Sequence, residues 1–269
     1  MSARFEELHR SGTFLLVNVH DAGAAVVAEA AGAVAVGTTS SGHANTLGRV
    51  DGSVRRGEAI ERAAEIAAAV DVPVSVDAEN GWGHTPEEVA ATITELAAVG
   101  VAGASIEDWS NDEELGLYDE ELAVERIEAA VEVARALPEP FVVCARAEGF
   151  LRDAADPLAM ALDRLPRFAA AGAGCVYAPG PRDRDTISRL VARSGAPVNV
   201  LIGMGSELTM DDARELGVRR VSLGGSLYRA TMTAFHDLVR QVTTSGSFAV
   251  DRPLLDGREL ASWTRPDPA

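Results

Sequence analysis

The chain has 269 residues, a length at which an α/β barrel closes as one domain, and with 47% hydrophobic but only 5% aromatic residues its core must be aliphatic. Its 41 acidic and 24 basic residues leave a net charge of -17, which repels phosphate backbones and anionic lipid and so argues against nucleic-acid and membrane partners. Every basic residue is an arginine, and the absence of lysine excludes Schiff-base aldolase chemistry, pyridoxal phosphate attachment and a Walker-type phosphate loop.

The polar start, Met1-Ser2-Ala3-Arg4-Phe5-Glu6-Glu7, does not read as a signal peptide. No apolar run approaches the roughly 20 residues of a spanning helix, so a cytoplasmic protein is expected. From there one pattern repeats: a short β-branched run, a polar turn, then an Ala-rich amphipathic stretch. The predicted strand and helix pairs are 14–19 with 22–31, 33–39 with 55–70, 73–79 with 85–99, and 103–108 with 120–136. They continue as 141–148 with 157–171, 174–179 with 184–193, 197–203 with 209–216, and 220–224 with 226–243. Near-continuous apolar strands alternating with helices mean a parallel sheet, and eight units predict a closed (β/α)8 TIM-type barrel over residues 1–248. A doubly wound sheet competes, but no Gly-x-Gly-x-x-Gly turn follows the first strand. Thr85-Pro86-Glu87-Glu88 supplies an N-cap, a proline at the first helical position and a capping-box glutamate.

His9 and His236 fall in helical patterns and are expected on the surface. Cys144 and Cys175 lie inside apolar runs and read as small hydrophobes, with no disulfide and no zinc site. Residues 249–269 are read as a tail, either a short helix with a flexible end or a segment packed on a neighbouring subunit.

In a closed α/β barrel the chemistry sits at the C-terminal ends of the strands. Those ends bring Asp77 and Glu79 from the third strand, Glu107 from the fourth and Asp51 from the loop after the second. Asp77 and Glu79 are two positions apart, so along a strand both face one side. Crowded carboxylates repel unless a cation neutralises them. Oxygen ligands without His or Cys suit Mg²⁺, with Mn²⁺ able to replace it. For any single acid, helix capping or pairing with arginine is the competing reading. Arg146 is the one basic side chain in this inventory that lies within a strand run. Its guanidinium can grip a substrate carboxylate in two prongs, or pair with Glu148 or Glu107 and hold the rim together.

Four segments carry a family resemblance: Leu47-Gly48-Arg49-Val50-Asp51, Val76-Asp77-Ala78-Glu79-Asn80-Gly81-Trp82-Gly83, Ala102-Gly103-Ala104-Ser105-Ile106-Glu107-Asp108 and Ala145-Arg146-Ala147-Glu148. In this order and spacing the chain resembles the isocitrate lyase/phosphoenolpyruvate mutase superfamily from about Phe5 to Phe248. The resemblance implies Mg²⁺ bound through Asp77, Glu79, Glu107 and Asp51, mostly by way of water. It also implies a substrate carboxylate held by Arg146 and by Thr39-Ser40-Ser41, and a metal-stabilised enolate or oxyanion of a 2-oxo acid. A homotetramer that swaps its last helix is implied as well. Asn199, at the seventh strand end, is a further candidate for substrate binding.

The chain departs from the pattern in its lid. Trp109-Ser110-Asn111-Asp112-Glu113-Glu114-Leu115-Gly116-Leu117-Tyr118 has no Cys, Lys or His, which argues against ordinary isocitrate or methylisocitrate lyase chemistry. Pro179 stands where the phosphonate enzymes place a His, Glu79 replaces an Asp, and Thr39-Ser40-Ser41 replaces a Ser-Gly pair. Candidates for proton transfer are then His43, His84 and Tyr177, beside Glu107, with His20 and Tyr118 weighted lower. The expected function is Mg²⁺-dependent cleavage or formation of a C–C bond in a small 2-oxo or 2-hydroxy carboxylic acid. A phosphonate P–C mutase or hydrolase is the alternative enzyme, and a carboxylate-binding barrel without turnover the alternative class.

Overall fold

The computed structural model describes residues 1–251 and 253–264, so Arg252 and residues 265–269 of the expected tail lie outside the described residues. In chain order the elements are α1 (Ser2–Leu8), β1 (Phe14–Val19), α2 (Ala22–Ala30), β2 (Val36–Thr38), α3 (Ser40–Thr46), α4 (Arg56–Ala69), β3 (Val74–Asp77), α5 (Pro86–Ala98) and β4 (Gly103–Glu107). They continue with α6 (Glu120–Ala136), β5 (Val142–Arg146), α7 (Pro157–Ala170), β6 (Cys175–Tyr177), α8 (Arg184–Ser194), β7 (Val198–Leu201), α9 (Met210–Glu215), β8 (Arg220–Ser222), α10 (Ser226–Ser245) and α11 (Gly257–Trp263). The eight strands pair in sequence order and close, with Phe14 of β1 beside Arg220 of β8. Closure decides against the doubly wound sheet, and all pairing is parallel, as the apolar runs require.

Two apolar layers hold the barrel. The outer one lies between strands and helices and is aliphatic, with Val76, Ile93, Leu96, Ile106, Ile127 and Leu165 all at most 2% exposed. The inner one, at the floor, joins Phe5, Phe14, Leu16, Val142, Cys144 and Cys175. Helix α1 plugs this end, and a Cβ on Gly103 would lie 2.9 Å from the Phe5 ring and 2.5 Å from the Val142 carbonyl oxygen. Only glycine leaves room there for the plug.

Two local expectations are corrected. His9 is not a surface residue: it caps the C-terminus of α1 and is 5% exposed, packed edge-on against Phe5 and Phe14. The segment after β2, expected as a long loop, begins with helix α3, whose Thr39 N-cap side chain accepts from the Gly42 amide. His236 is exposed as expected. At the other rim β3 stops at Asp77, and Glu79 and Trp82 take left-handed φ of 47° and 52°. Strand alternation therefore does not aim Glu79, which corrects the argument from spacing.

Helix α10 stands apart. Only Ser226 of its twenty residues is buried, while Met232, Phe235, Leu238 and Val239 are exposed. Beside it a groove of about 1340 Å³ runs along β1 and α2, lined by Leu15, Val17, Val27, Leu223 and Leu227 among others. No helix among the described residues is long and apolar enough to cross a membrane.

Candidate active site

Arg146 is the hub of the C-terminal rim. Its Nη1 lies 2.5 Å from Asp77 Oδ1, its Nη2 2.9 Å from Glu107 Oε2 and its Nε 2.9 Å from Glu148 Oε1. The ends of β3 and β4 and the turn after β5 thus deliver three acids to one guanidinium: register sets Glu107 beside Arg146, while Asp77 ends β3 beside Ser105, two residues before Glu107. Burial works against its charge, but Glu107, Glu148 and Asp77 more than offset this and raise its pKa further. Burial raises Glu107 and Glu148, with Arg146 opposing in both cases. Behind them Asp108 accepts from the Glu148 amide at 2.7 Å and from Arg164 at 2.6 Å, fixing the turn after β5.

One positive charge for three carboxylates leaves the rim short of cation, and two more acids stand beside it. Burial, then the charges of Asp77 and Asp51, push Glu79 from its ordinary value up to about 7, while Asn111 of the lid donates to its Oε2 at 2.8 Å. No three His, Cys, Asp or Glu side chains among the described residues are grouped to hold a metal ion directly. Mg²⁺ needs no such cage, since it keeps several waters and takes one or two carboxylates. The donor set fits it: oxygen ligands only, excess negative charge, and a glutamate whose pKa burial and its acidic neighbours raise.

Beside this cluster opens a cavity of about 270 Å³, bounded by Asp77, Arg146, Tyr177, Ser41, Arg220 and Arg229 with their neighbours. Among the expected residues, Thr39, Ser40, Ser41, Asp51, Asp77, Arg146, Tyr177 and Asn199 line it. Ser40 donates its amide to Asp77 Oδ2 at 3.1 Å, and Thr39 and Ser41 share a hydroxyl contact of 3.2 Å. Asn199 is already engaged, accepting from Arg220 Nε and donating to Ser222 Oγ, each at 2.9 Å. Tyr177 is buried and held well above its ordinary value, first by burial. Glu107 sits behind Arg146, not among the cavity-lining residues.

The two histidines are placed elsewhere. His43 lies in α3 behind Thr38–Ser40, facing Arg62 and Trp82, and burial lowers its pKa. His84 is bonded through Nδ1 to the Tyr118 hydroxyl at 2.7 Å, outside the cavity. Tyr118 in turn stacks under Arg126, which donates to the carbonyls of Gly83 and Asn80 and so clamps the loop after β3.

The sequence pattern missed three contributors. Asn18 donates to the Thr38 carbonyl at 2.8 Å and accepts from the Leu223 and Gly224 amides, stitching β1, β2 and the β8 corner together. A polar residue interrupting the apolar first strand was its signal. Arg220 begins the eighth run and faces inward, so Arg146 is not the only arginine on a strand. Arg229 lies on α10, helical as expected, and also borders the cavity.

The sequence profile of the phosphoenolpyruvate phosphomutase family matches residues 5–243. The chain belongs to that family. It is an enzyme of the isocitrate lyase/phosphoenolpyruvate mutase superfamily, whose lyases and mutases act on small carboxylates and phosphonates. A Mycobacterium tuberculosis H37Rv protein of uncharacterised function is 36% identical over 241 residues, covering 89% of this chain and 88% of that protein. The oxaloacetate decarboxylase of Chromohalobacter salexigens is 34% identical over 191 residues, 68% of this chain and 64% of the decarboxylase. A crystal structure from Burkholderia cenocepacia J2315, named provisionally as a lyase/mutase, matches at 40% identity and TM-score 0.93 over 97% of this chain and 94% of that one. Members of the superfamily generally depend on a divalent metal.

Proposed function

We propose that residues 1–248 form a Mg²⁺-dependent carbon–carbon lyase, able to use Mn²⁺, that acts on a small 2-oxo or 2-hydroxy carboxylic acid. Decarboxylation of a 2-oxo acid with a second carboxylate on carbon 3 fits best. One observation carries this choice: besides its arginines the cavity is lined by only three titratable groups, Asp51 and Asp77, which the metal would take, and Tyr177, which burial keeps protonated, so no free base faces a substrate hydroxyl. Cleaving a 2-hydroxy acid requires a base to take the hydroxyl proton. Loss of CO₂ from a 2-oxo acid requires none. The C3–C4 bond breaks, its electron pair moves into the 2-oxo group as an enolate, and C4 leaves as CO₂. A proton returned to C3 completes the product.

When bound through Asp77, Glu79, Glu107 and Asp51, largely by water, Mg²⁺ supplies Lewis-acid stabilisation of the charge developing on the 2-oxo oxygen. Arg146 holds the C1 carboxylate, oriented by its bonds to Glu107 and Glu148. Ser40, Ser41 and Thr39 offer hydroxyls and amides from the facing wall. Tyr177, kept protonated by burial, is a hydroxyl donor within the cavity. The relative named as an oxaloacetate decarboxylase supports the same chemistry.

The protein works as a homo-oligomer, a tetramer in the superfamily pattern, in which α10 of one copy covers the apolar flank of another. The exposed apolar face of α10 and the apolar groove along β1 and α2 support this.

The test is a screen of oxaloacetate, methylisocitrate, dimethylmalate and phosphonopyruvate with Mg²⁺, with and without EDTA. Oxaloacetate should be consumed with release of CO₂, chelation should abolish turnover, and Asp77→Ala should cut kcat/KM about a hundredfold. Preferred turnover of phosphonopyruvate would move the assignment to P–C chemistry. Full activity in EDTA or in Asp77→Ala would overturn the metal site.

A further inference from the structure

Three arginines border the cavity, and their commitments differ. Arg146 is shared among Asp77, Glu107 and Glu148. Arg220 is buried at the cavity floor, held by Asn199, His9 and the Cys144 sulfur. Arg229 is exposed, and among the described residues no acidic side chain pairs with it. It is the uncommitted cation of the pocket.

Its position explains how it reaches there. Arg229 lies in the first turns of α10, its amide bonded to the Gly225 carbonyl at 3.0 Å. Helix side chains lean toward the helix N-terminus, and that end of α10 opens onto the cavity at Gly224 and Gly225. Asn18 fixes this corner through the Leu223 and Gly224 amides, so the lean of Arg229 is toward the pocket mouth. A chain of net charge -17 repels a dianion, and an unpaired guanidinium at the mouth offsets this where it matters.

We propose that Arg229 is the specificity residue of this site: it captures the carboxylate at the far end of the substrate from Arg146 and so selects dicarboxylates over monocarboxylates. This rests on the assignment of the cavity as the substrate site. Because the charge on the departing carboxylate disperses as CO₂ forms, a guanidinium holding it stabilises the bound ground state and not the transition state. Its removal therefore raises KM and, by releasing ground-state stabilisation, raises kcat rather than lowering it.

L-malate and L-lactate share a 2-hydroxy carboxylate head and differ in the distal carboxylate, and neither loses CO₂. Their binding to the intact protein with Mg²⁺ would be measured by calorimetry for wild type, Arg229→Gln and Arg229→Lys, with oxalate as the control for the metal and Arg146 end. Wild type should prefer malate about tenfold. Arg229→Gln should bring malate to the level of lactate while leaving lactate and oxalate unchanged, and Arg229→Lys should keep part of the preference. With oxaloacetate the Gln variant should show KM raised about tenfold and kcat not lowered. Oxalate binding with an unaltered malate preference in Arg229→Gln would overturn the role of Arg229 alone. Failure of oxalate to bind wild type with Mg²⁺ would overturn the site assignment, and the role of Arg229 with it.

Discussion

Replacing His9 should remove an acid-sensitive joint from the barrel floor. The ring is 5% exposed, with Nδ1 2.8 Å from the Phe5 carbonyl oxygen and Nε2 facing Arg220 at 3.5 Å. Burial, then the Arg220 charge, lowers its pKa from 6.5 to about 3. The folded state thus keeps His9 neutral while the unfolded chain takes up a proton below 6.5. Stability attributable to His9 is complete above pH 6.5 and falls as pH drops toward 3, by about 1.4 kcal/mol per unit and about 5 kcal/mol over the whole interval. Between pH 6.5 and 5, before most carboxylates titrate, the loss is about 2 kcal/mol. Urea denaturation followed by circular dichroism should show this slope as the difference between wild type and His9→Gln, because Glu79, raised to about 7 by burial and its acidic neighbours, contributes with the opposite sign in both proteins. His43, also lowered by burial, adds a contribution of the same sign. His9→Gln should be about 1–3 kcal/mol less stable at pH 8, through its lost contacts, yet flatter between pH 6.5 and 5. An unchanged slope in His9→Gln would refute the argument.

Arg146→Met should cost about 3–5 kcal/mol in chemical denaturation, because it strands Glu107 and Glu148 as buried unpaired acids; unchanged stability would show that they do not depend on it. The Cys144→Ser, Cys175→Ser double variant should keep its turnover and lose about 1 kcal/mol of stability, since a hydroxyl still accepts from Arg220. A large fall in turnover with the fold intact would reveal a thiol mechanism. Phe235→Glu combined with Leu238→Glu, both on the exposed face of α10, should lower the mass seen by light scattering. No change in mass would remove that face from the interface.

The barrel was legible because both faces of each strand are covered, so every strand reads as an apolar run and every helix as the polar-faced stretch after it. What was not legible came from features with no period. The segment Ser40-Ser41-Gly42-His43-Ala44-Asn45-Thr46 has no apolar stripe, and α3 forms because Thr39 caps it and Ala44 packs with Val54 and Ala59. The short α1 is a helix through burial of Phe5, which sequence could not place at a barrel floor 98 residues upstream of Gly103. That Asp77, Glu79 and Arg146 lie at one rim was legible from their strand-end position, and that Asp51 lies beside them from its place in the loop after the second strand. The direction of Glu79 was not, because its left-handed backbone breaks the alternation on which the argument relied. Arg220 and Arg229 escaped notice because an arginine opening a strand or lying on a helix reads as a solvated charge; closure of the barrel buries Arg220 and leaves Arg229 exposed at the cavity's edge.

The all-arginine cation set has a consequence for how the pocket responds to its medium. A guanidinium keeps its proton at any pH a cell reaches, whereas an ammonium in a desolvated pocket can surrender one. Arg146, Arg220 and Arg229 therefore act as permanent charges, and only acids and hydroxyls around them can switch. Alkali has no ammonium to neutralise here. The positive side of the cavity is a constant, and every titration that alters ligand affinity must be written on its negative side.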